Sequence, residues 1–426
     1  MKQYQALVNS GDHAALKRVM KKAEAGEALC VAFLGGSITE GYSSTDPKLC
    51  YSARVCDWWR ENFPKSELHY VNAGIGGTGS QYGAARVEKD VLRFRPDVVF
   101  VDFSVNDEAN EFSQECYEGL IRRLLRSESR PAVVLLHFVQ YDSGISAEEQ
   151  HRRIGEHYGL PCISTRSSLY AKLRDGVLEA SLITQDMLHP NDEGHAMIAA
   201  MITDLLDTVK EEPAGTGEER KLPEALTANA YENAVRLQHA DAEAELAGFE
   251  KDTKEPEYPA DHFRGGWTGS RAGDELRLRF RGSELALQFR RTVKRPALLA
   301  EAVVDGDREH AVILDADFDQ DWGDCLSIVT IMRHGRMPEG CREEKKSPVN
   351  YGKRTAALEG LRDVSPSAEE HELCLHILGD PDSLGWEQAA MQTGGPAWIK
   401  TEGNDSPAGF DLLGIIVSSP DGEEEK

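Results

Sequence analysis

Four short stretches carry side chains able to do chemistry together. Ser37 follows Gly35 and Gly36 directly after an apolar run, and a small-residue pair there permits a tight turn that lifts the hydroxyl. Asp186 stands three residues before His189 on a loop stiffened by Pro190. A carboxylate so placed can hold an imidazole by its Nδ1 proton and turn the other nitrogen toward a serine, which would activate that serine as a nucleophile. Asn72-Ala-Gly-Ile-Gly-Gly77-Thr-Gly79 is a glycine-rich strand-to-helix turn, suited to presenting backbone N–H groups to an anion. Ser104-Val-Asn106-Asp107 ends another apolar run and brings an amide side chain.

Each stretch also has an ordinary reading. Serine, asparagine and aspartate end strands and fill turns for local hydrogen-bonding reasons alone. The glycine turn loosely imitates a dinucleotide-binding G-x-G-x-x-G, but it follows the second strand candidate and is weak evidence for NAD.

The elements that must position these residues alternate. Strand candidates at Leu29–Leu34, Leu68–Asn72, Val98–Phe103, Ala132–Phe138 and Leu160–Ser164 are separated by helical patterns at Leu49–Asn62, Gln81–Leu92, Cys116–Arg126 and Ala147–Tyr158. A last helix, Asp192–Lys210, spaces Met197, Ile198, Met201, Ile202, Leu205 and Leu206 by three and four. Near-continuous apolar strands in this order predict a parallel sheet covered on both faces, with ligands at its carboxyl edge. All four stretches fall at that edge.

In their order and spacing the stretches resemble the blocks of the SGNH (GDSL-like) serine hydrolases: GGSIT with Ser37, NAGIGGTG with Gly77, SVND with Asn106, and DMLHP with Asp186 and His189. The resemblance covers residues 29–205. It implies a flavodoxin-like three-layer sandwich with a five-stranded parallel sheet. It also implies a catalytic Ser37–His189–Asp186 set and an oxyanion hole of Ser37, Gly77 and Asn106, with no cofactor and no metal. Two blocks depart from the family pattern: Gly36 replaces the usual Asp before the nucleophile, and the third block reads Ser104-Val105-Asn106-Asp107 where a glycine pair is commoner. The G-x-S-x-G elbow of α/β-hydrolases is absent, since Thr39 occupies the second glycine's place.

The sequence divides into a helical extension (1–28), the hydrolase-like region (29–210), a linker and helical connector (211–260) and an all-β region (261–420). The polar, Gly- and Pro-containing Glu211–Glu224 marks the break, and Leu222–Glu250 reads as helical. Beyond it Glu275–Arg290 alternates apolar and polar residues around Arg281-Gly282-Ser283, as a hairpin would. Runs at Leu298–Val304, His310–Leu314, Cys325–Met332, Glu372–Leu378 and Phe410–Val417 complete a β-sandwich of jelly-roll-like type.

Other residues invite weaker readings. His195 is expected on a solvated helix face. His137 is expected to be structural, or else to line the site, and Trp58-Trp59 are expected in the core. Asp315, Asp317, Asp319 and Asp321 read as a solvated acidic edge, with a calcium site the alternative. Trp267, Trp322, Trp386 and Trp398 read singly as packing residues, with sugar stacking the alternative.

Composition narrows the partners. The 426 residues carry a formal charge of −25, most of it after residue 210. Nucleic acid and anionic membrane surfaces are therefore disfavoured, and a neutral sugar ligand suits the acidic β region better than an anionic one. Eight scattered cysteines without a C-x-x-C pair, and an N-terminus without an apolar signal region, lead to the expectation of a cytoplasmic protein with reduced thiols. The function expected is a carbohydrate O-acetylesterase working on acetylated oligosaccharides through an acyl-enzyme. A lysophospholipase, thioesterase or aryl esterase, and a glycan-binding protein with a silent hydrolase domain, are the alternatives. The partner expected is a small-molecule or oligosaccharide ester, with homo-oligomerisation left open.

Overall fold

The computed structural model describes residues 5–213, 221–255, 262–318, 323–334, 362–364, 370–380 and 408–419. The chain forms two compact units, Met1–Glu232 and Asn233–Lys426.

In the first unit all five expected strands form: β2 (Leu29–Gly35), β3 (Leu68–Gly74), β4 (Val98–Asp102), β5 (Ala132–His137) and β6 (Cys162–Ser164). They are parallel in the order β3-β2-β4-β5-β6. This is the doubly wound order that opens a crevice at the carboxyl edge between the first and third strands in sequence. The residues before β2 hold more than a helix. A three-residue strand, β1 (Leu7–Asn9), adds antiparallel to β6 as a sixth strand, and α1 (Ala14–Glu24) follows.

Residue type explains the layers. Val31, Phe33, Val98, Phe100, Val134 and Leu136 face one way by the two-residue period of a strand. They share a buried core with α1, α3 (Tyr51–Asn62) and α8 (Asp192–Glu211). Phe33 and Phe100 stack there with centroids 4.7 Å apart, and Trp58 and Trp59 belong to this core as expected. The other helices are α4 (Ser80–Asp90), α5 (Glu111–Arg126), α6 (Glu148–Tyr158) and the single turns α2 (Ser37–Glu40) and α7 (Ala171–Arg174). Register brings the strand ends level: Gly35 of β2 pairs Gly74 of β3 and Asp102 of β4.

The expected helical connector is a correction. Residues 221–232 are an irregular segment lying on α5, and three short strands follow. Helix-forming residue types lose here because α5 supplies other partners for the backbone. Glu118 accepts the N–H groups of Leu226 and Thr227 (2.7 Å each), and Glu115 accepts that of Ala230 (3.0 Å). Arg122 pairs with Glu232 at 2.7 Å, with both side chains largely buried. Gly119 leaves room for the Tyr231 backbone, which a Cβ would approach to 2.6 Å.

The second unit is a sandwich of two sheets around one core. Its strands are β7 (Val235–Leu237), β8 (Ala244–Ala247), β9 (Glu250–Lys251), β10 (Trp267–Gly269), β11 (Glu275–Arg281), β12 (Glu284–Arg291), β13 (Leu299–Val304), β14 (Val312–Asp315), β15 (Cys325–His334), β16 (Arg362–Val364), β17 (Glu370–Gly379) and β18 (Phe410–Ser418). One sheet runs β14-β13-β17-β11-β8; the other runs β16-β15-β12-β18-β10-β9, with β7 also on β18. The expected β11–β12 hairpin is therefore not formed. The two strands belong to opposite sheets, and Gly282, at φ 152°, carries the chain across the core between them. Leu276, Leu278 and Phe280 meet Leu285, Leu287 and Phe289 in the shared interior. Trp267 is buried in that core, the packing role expected of it. Asp317 is a buried partner of Arg295 at 2.8 Å, while Asp319, Asp321, Trp322, Trp386 and Trp398 lie outside the described residues. Among the described residues no helix is long and apolar enough to cross a membrane.

Candidate active site

The nucleophile candidate sits where β2 ends. Gly35 closes the strand, and its carbonyl accepts the Ile75 N–H (3.0 Å) and a buried Arg86 guanidinium N–H (3.1 Å). Gly36 then caps α2 in an extended conformation, so Ser37 opens a helical turn at the carboxyl edge. Beneath it the Thr39 hydroxyl lies 2.8 Å from the Tyr51 hydroxyl and 3.4 Å from Asp102 Oδ2. Burial pushes the Asp102 carboxyl up to about 8.

Ser37 Oγ lies 2.8 Å from His189 Nε2, and His189 Nδ1 lies 2.6 Å from Asp186 Oδ2. The carboxylate can only accept, so Nδ1 carries the proton and Nε2 is free to accept from the serine. The other Asp186 oxygen accepts the backbone N–H groups of His189 (2.7 Å) and Leu188 (3.0 Å). Burial would raise the Asp186 pKa, but the hydrogen bonds from the His189 ring, His189 N–H and Leu188 N–H outweigh it and hold the carboxyl below its ordinary value. The loop is fixed at several points. Met187 takes φ 65° and gives its carbonyl to Tyr141 N–H (2.7 Å), and Asn191 caps α8 through Glu193 and Gly194.

The two remaining candidates arrive from neighbouring strand ends. Gly77 follows β3 at φ 70°, and a Cβ added to it would meet nothing within 4 Å. Asn106 follows β4, and its Oδ1 lies where it would stand 2.3 Å from a Cβ on Gly36. The Asn106 carboxamide is thus seated in the space that the missing side chain of residue 36 leaves beside Ser37. Gly36, one of the departures from the family pattern, thus lies against the residue that matches the family's asparagine.

Several residues of this region were missed in the sequence. Asp107 ties the Asn106 segment to the start of α4: its Oδ1 accepts Ser80 N–H (2.8 Å), and its Oδ2 lies 3.0 Å from His151 Nε2. Its position directly after Asn106 was the available signal. Glu40 Oε2 accepts Gly76 N–H at 2.8 Å, beside Gly77. Tyr42 lays its ring against His189, with centroids 4.4 Å apart.

His195 corrects an expectation. It is fully buried, not solvated, and its ring runs parallel to Tyr51. Nδ1 accepts Tyr51 N–H (3.3 Å) and Nε2 donates to the Tyr42 carbonyl (3.4 Å). Burial lowers its pKa to about 4, which keeps the ring neutral for that pattern. His137 is buried at the end of β5, 6.1 Å from the His151 ring. It makes no hydrogen bond to Ser37, His189 or Asp186 among the described residues.

Comparison with known proteins agrees with the architecture. The model of the GDSL-like lipase/acylhydrolase family matches residues 33–197. A search of curated proteins returns no match. Among solved structures, a two-domain esterase (CEX) active on acetylated mannans is 39% identical, covering 99% of this chain and 100% of its own, with TM-score 0.82. A structure of such an esterase co-crystallized with mannopentaose matches over the same shares at 39% identity and TM-score 0.81. An acetyl xylan esterase, AlAXEase, is 23% identical, covering 41% of this chain and 98% of its own, with TM-score 0.36. With one relative matched along nearly its whole length and the family's model on its α/β unit, this chain belongs to the GDSL-like lipase/acylhydrolase family, as an ester hydrolase that carries a second, β-sandwich unit.

Proposed function

We propose that the chain is a serine esterase that removes acetyl groups from carbohydrates, with acetylated manno-oligosaccharides the leading substrate class. The observation that carries the reading is the line from Ser37 Oγ through His189 to Asp186, with links of 2.8 and 2.6 Å. The sugar half rests on similarity to the esterase active on acetylated mannans.

In this mechanism Ser37 Oγ attacks the acetyl carbonyl while His189 Nε2 takes its proton. Asp186 holds the imidazole's tautomer and stabilises the imidazolium. The tetrahedral oxyanion is met by the backbone N–H groups of Ser37 and Gly77 and by the Asn106 amide, each preorganised donor contributing about 3 kcal/mol in the transition state. His189 returns its proton to the sugar oxygen, which leaves as the alcohol. Water, giving a proton to the same imidazole, then attacks the acetyl-serine, and His189 passes that proton to Ser37 Oγ as the acyl bond breaks and acetate departs. The β unit is read as a carbohydrate-binding module that serves this reaction.

Ser37→Ala and His189→Ala are expected to cut acetate release from acetylated manno-oligosaccharides by at least about 10⁴-fold while circular dichroism is unchanged. Near-full activity in either variant refutes the catalytic assignment. Nitrophenyl esters from C2 to C8 test the acyl preference. Activity that climbs toward octanoate would instead favour the lysophospholipase or thioesterase reading.

A further inference from the structure

We propose that Tyr42 is the platform on which the departing sugar ring stacks, which makes it a specificity-determining residue of this site; the inference rests on the carbohydrate reading above. His189 Nε2 must reach the leaving oxygen at hydrogen-bond distance, about 3 Å, when the tetrahedral intermediate collapses. The ring that bears this oxygen is one or two bonds further away, so it lies beside the imidazole. The Tyr42 ring is already there, with its centroid 4.4 Å from that of His189 and its plane tilted by 53°.

Most large apolar side chains of this unit are buried, but Tyr42 is 59% exposed. An aromatic face left open next to a reacting group suits a ligand with an apolar face of its own, and the C–H face of a pyranose is one. Mobility does not account for the exposure, because the backbone is pinned on both sides. Gly41, at φ 102°, ends α2 and turns the chain back, and Tyr42 N–H donates to the Ser37 carbonyl at 3.0 Å. The Tyr42 carbonyl accepts from buried His195. The hydroxyl takes no hydrogen bond among the described residues, so the ring face is the part that the geometry presents.

The test compares the full-length wild type with Tyr42→Ala and Tyr42→Phe on two substrates. One is an acetylated manno-oligosaccharide. The other is vinyl acetate, whose leaving group has no ring. The readout is the ratio of kcat/KM on the oligosaccharide to kcat/KM on vinyl acetate. Tyr42→Ala is expected to lower this ratio about tenfold, mainly through KM on the sugar, and Tyr42→Phe to keep it within about twofold of wild type. An unchanged ratio in Tyr42→Ala overturns the proposal, whatever happens to the individual rates, because a ring that only orders His189 would affect both substrates alike. A wild type that cleaves vinyl acetate but releases nothing from acetylated oligosaccharides refutes the carbohydrate reading, and this inference with it.

Discussion

Gly36→Ala is the most revealing single change. A methyl group at residue 36 would stand 2.3 Å from Asn106 Oδ1 and 3.2 Å from Asn106 Cγ. The first distance is roughly 1 Å inside van der Waals contact, so one group must move. Gly36 sits at φ −90° and ψ −152°, open to any residue, so the backbone gives no reason for strain. The clash is with the end of a short side chain, so the fold yields cheaply and the Asn106 carboxamide swings away. That carboxamide is the proposed third oxyanion donor. Losing one preorganised donor costs about 3 kcal/mol in the transition state, or on the order of 10²–10³ in kcat. Steady-state kinetics on nitrophenyl acetate should show that fall with KM nearly unchanged and a melting temperature within a few degrees of wild type. The decisive comparison is a double-mutant cycle with Asn106→Ala. If both changes act through one donor, the double variant is no slower than Asn106→Ala alone. Full activity in Gly36→Ala, or losses that multiply in the double variant, would refute the reasoning. Gly36→Asp, which restores the family's commoner residue, should be inactivated in the same way.

Further tests reach the layer beneath the site. Asp102 holds its proton up to about pH 8 in the folded chain, against roughly 4 when unfolded, so its contribution to stability is fully present below about pH 4 and is lost as pH rises toward 8. Asp102→Asn cannot titrate, so thermal melts should show it gaining on wild type between pH 5 and pH 8; an equal difference at both pH values counts against the assignment. Asp107→Ala frees the start of α4 and with it the Gly77 turn, which should lower kcat on nitrophenyl acetate by about 10²-fold with little change in KM. Asp107→Asn retains the oxygen that accepts Ser80 N–H and should recover most of the rate; equal losses in the two variants would exclude a positioning role.

The chemistry was legible because the residues that carry it sit at strand ends, and strand ends are visible in sequence. Once β2, β3 and β4 are parallel and level at Gly35, Gly74 and Asp102, the residues that follow them share one edge. Partner choice was not legible. β11 and β12 alternate as hairpin strands would, yet the short Gly282 turn sends them to different sheets, and a local pattern cannot distinguish the two outcomes. The same limit hid residues 221–232, whose backbone partners are acidic side chains about a hundred residues upstream. His195 was readable and misread. It shares the buried stripe of α8 with Ile198, Ile202, Leu205 and Val209, a spacing that outweighs the polar character of its ring. Tyr42 carries no sequence signal, since its place depends on the turn at Gly41 and on a histidine from α8.

The segment on α5 also bears on how the protein can be taken apart. A fragment designed from the sheet and its helices would stop near Glu211, where α8 ends. Such a fragment would lack the residues that cover Gly119 and pair with Arg122, leaving one side of α5 uncovered and open to self-association. The shortest separately expressed hydrolase should therefore run through Glu232. In a fragment cut earlier, poor solubility would report a lost cover on α5 and say nothing about dependence on the β-sandwich.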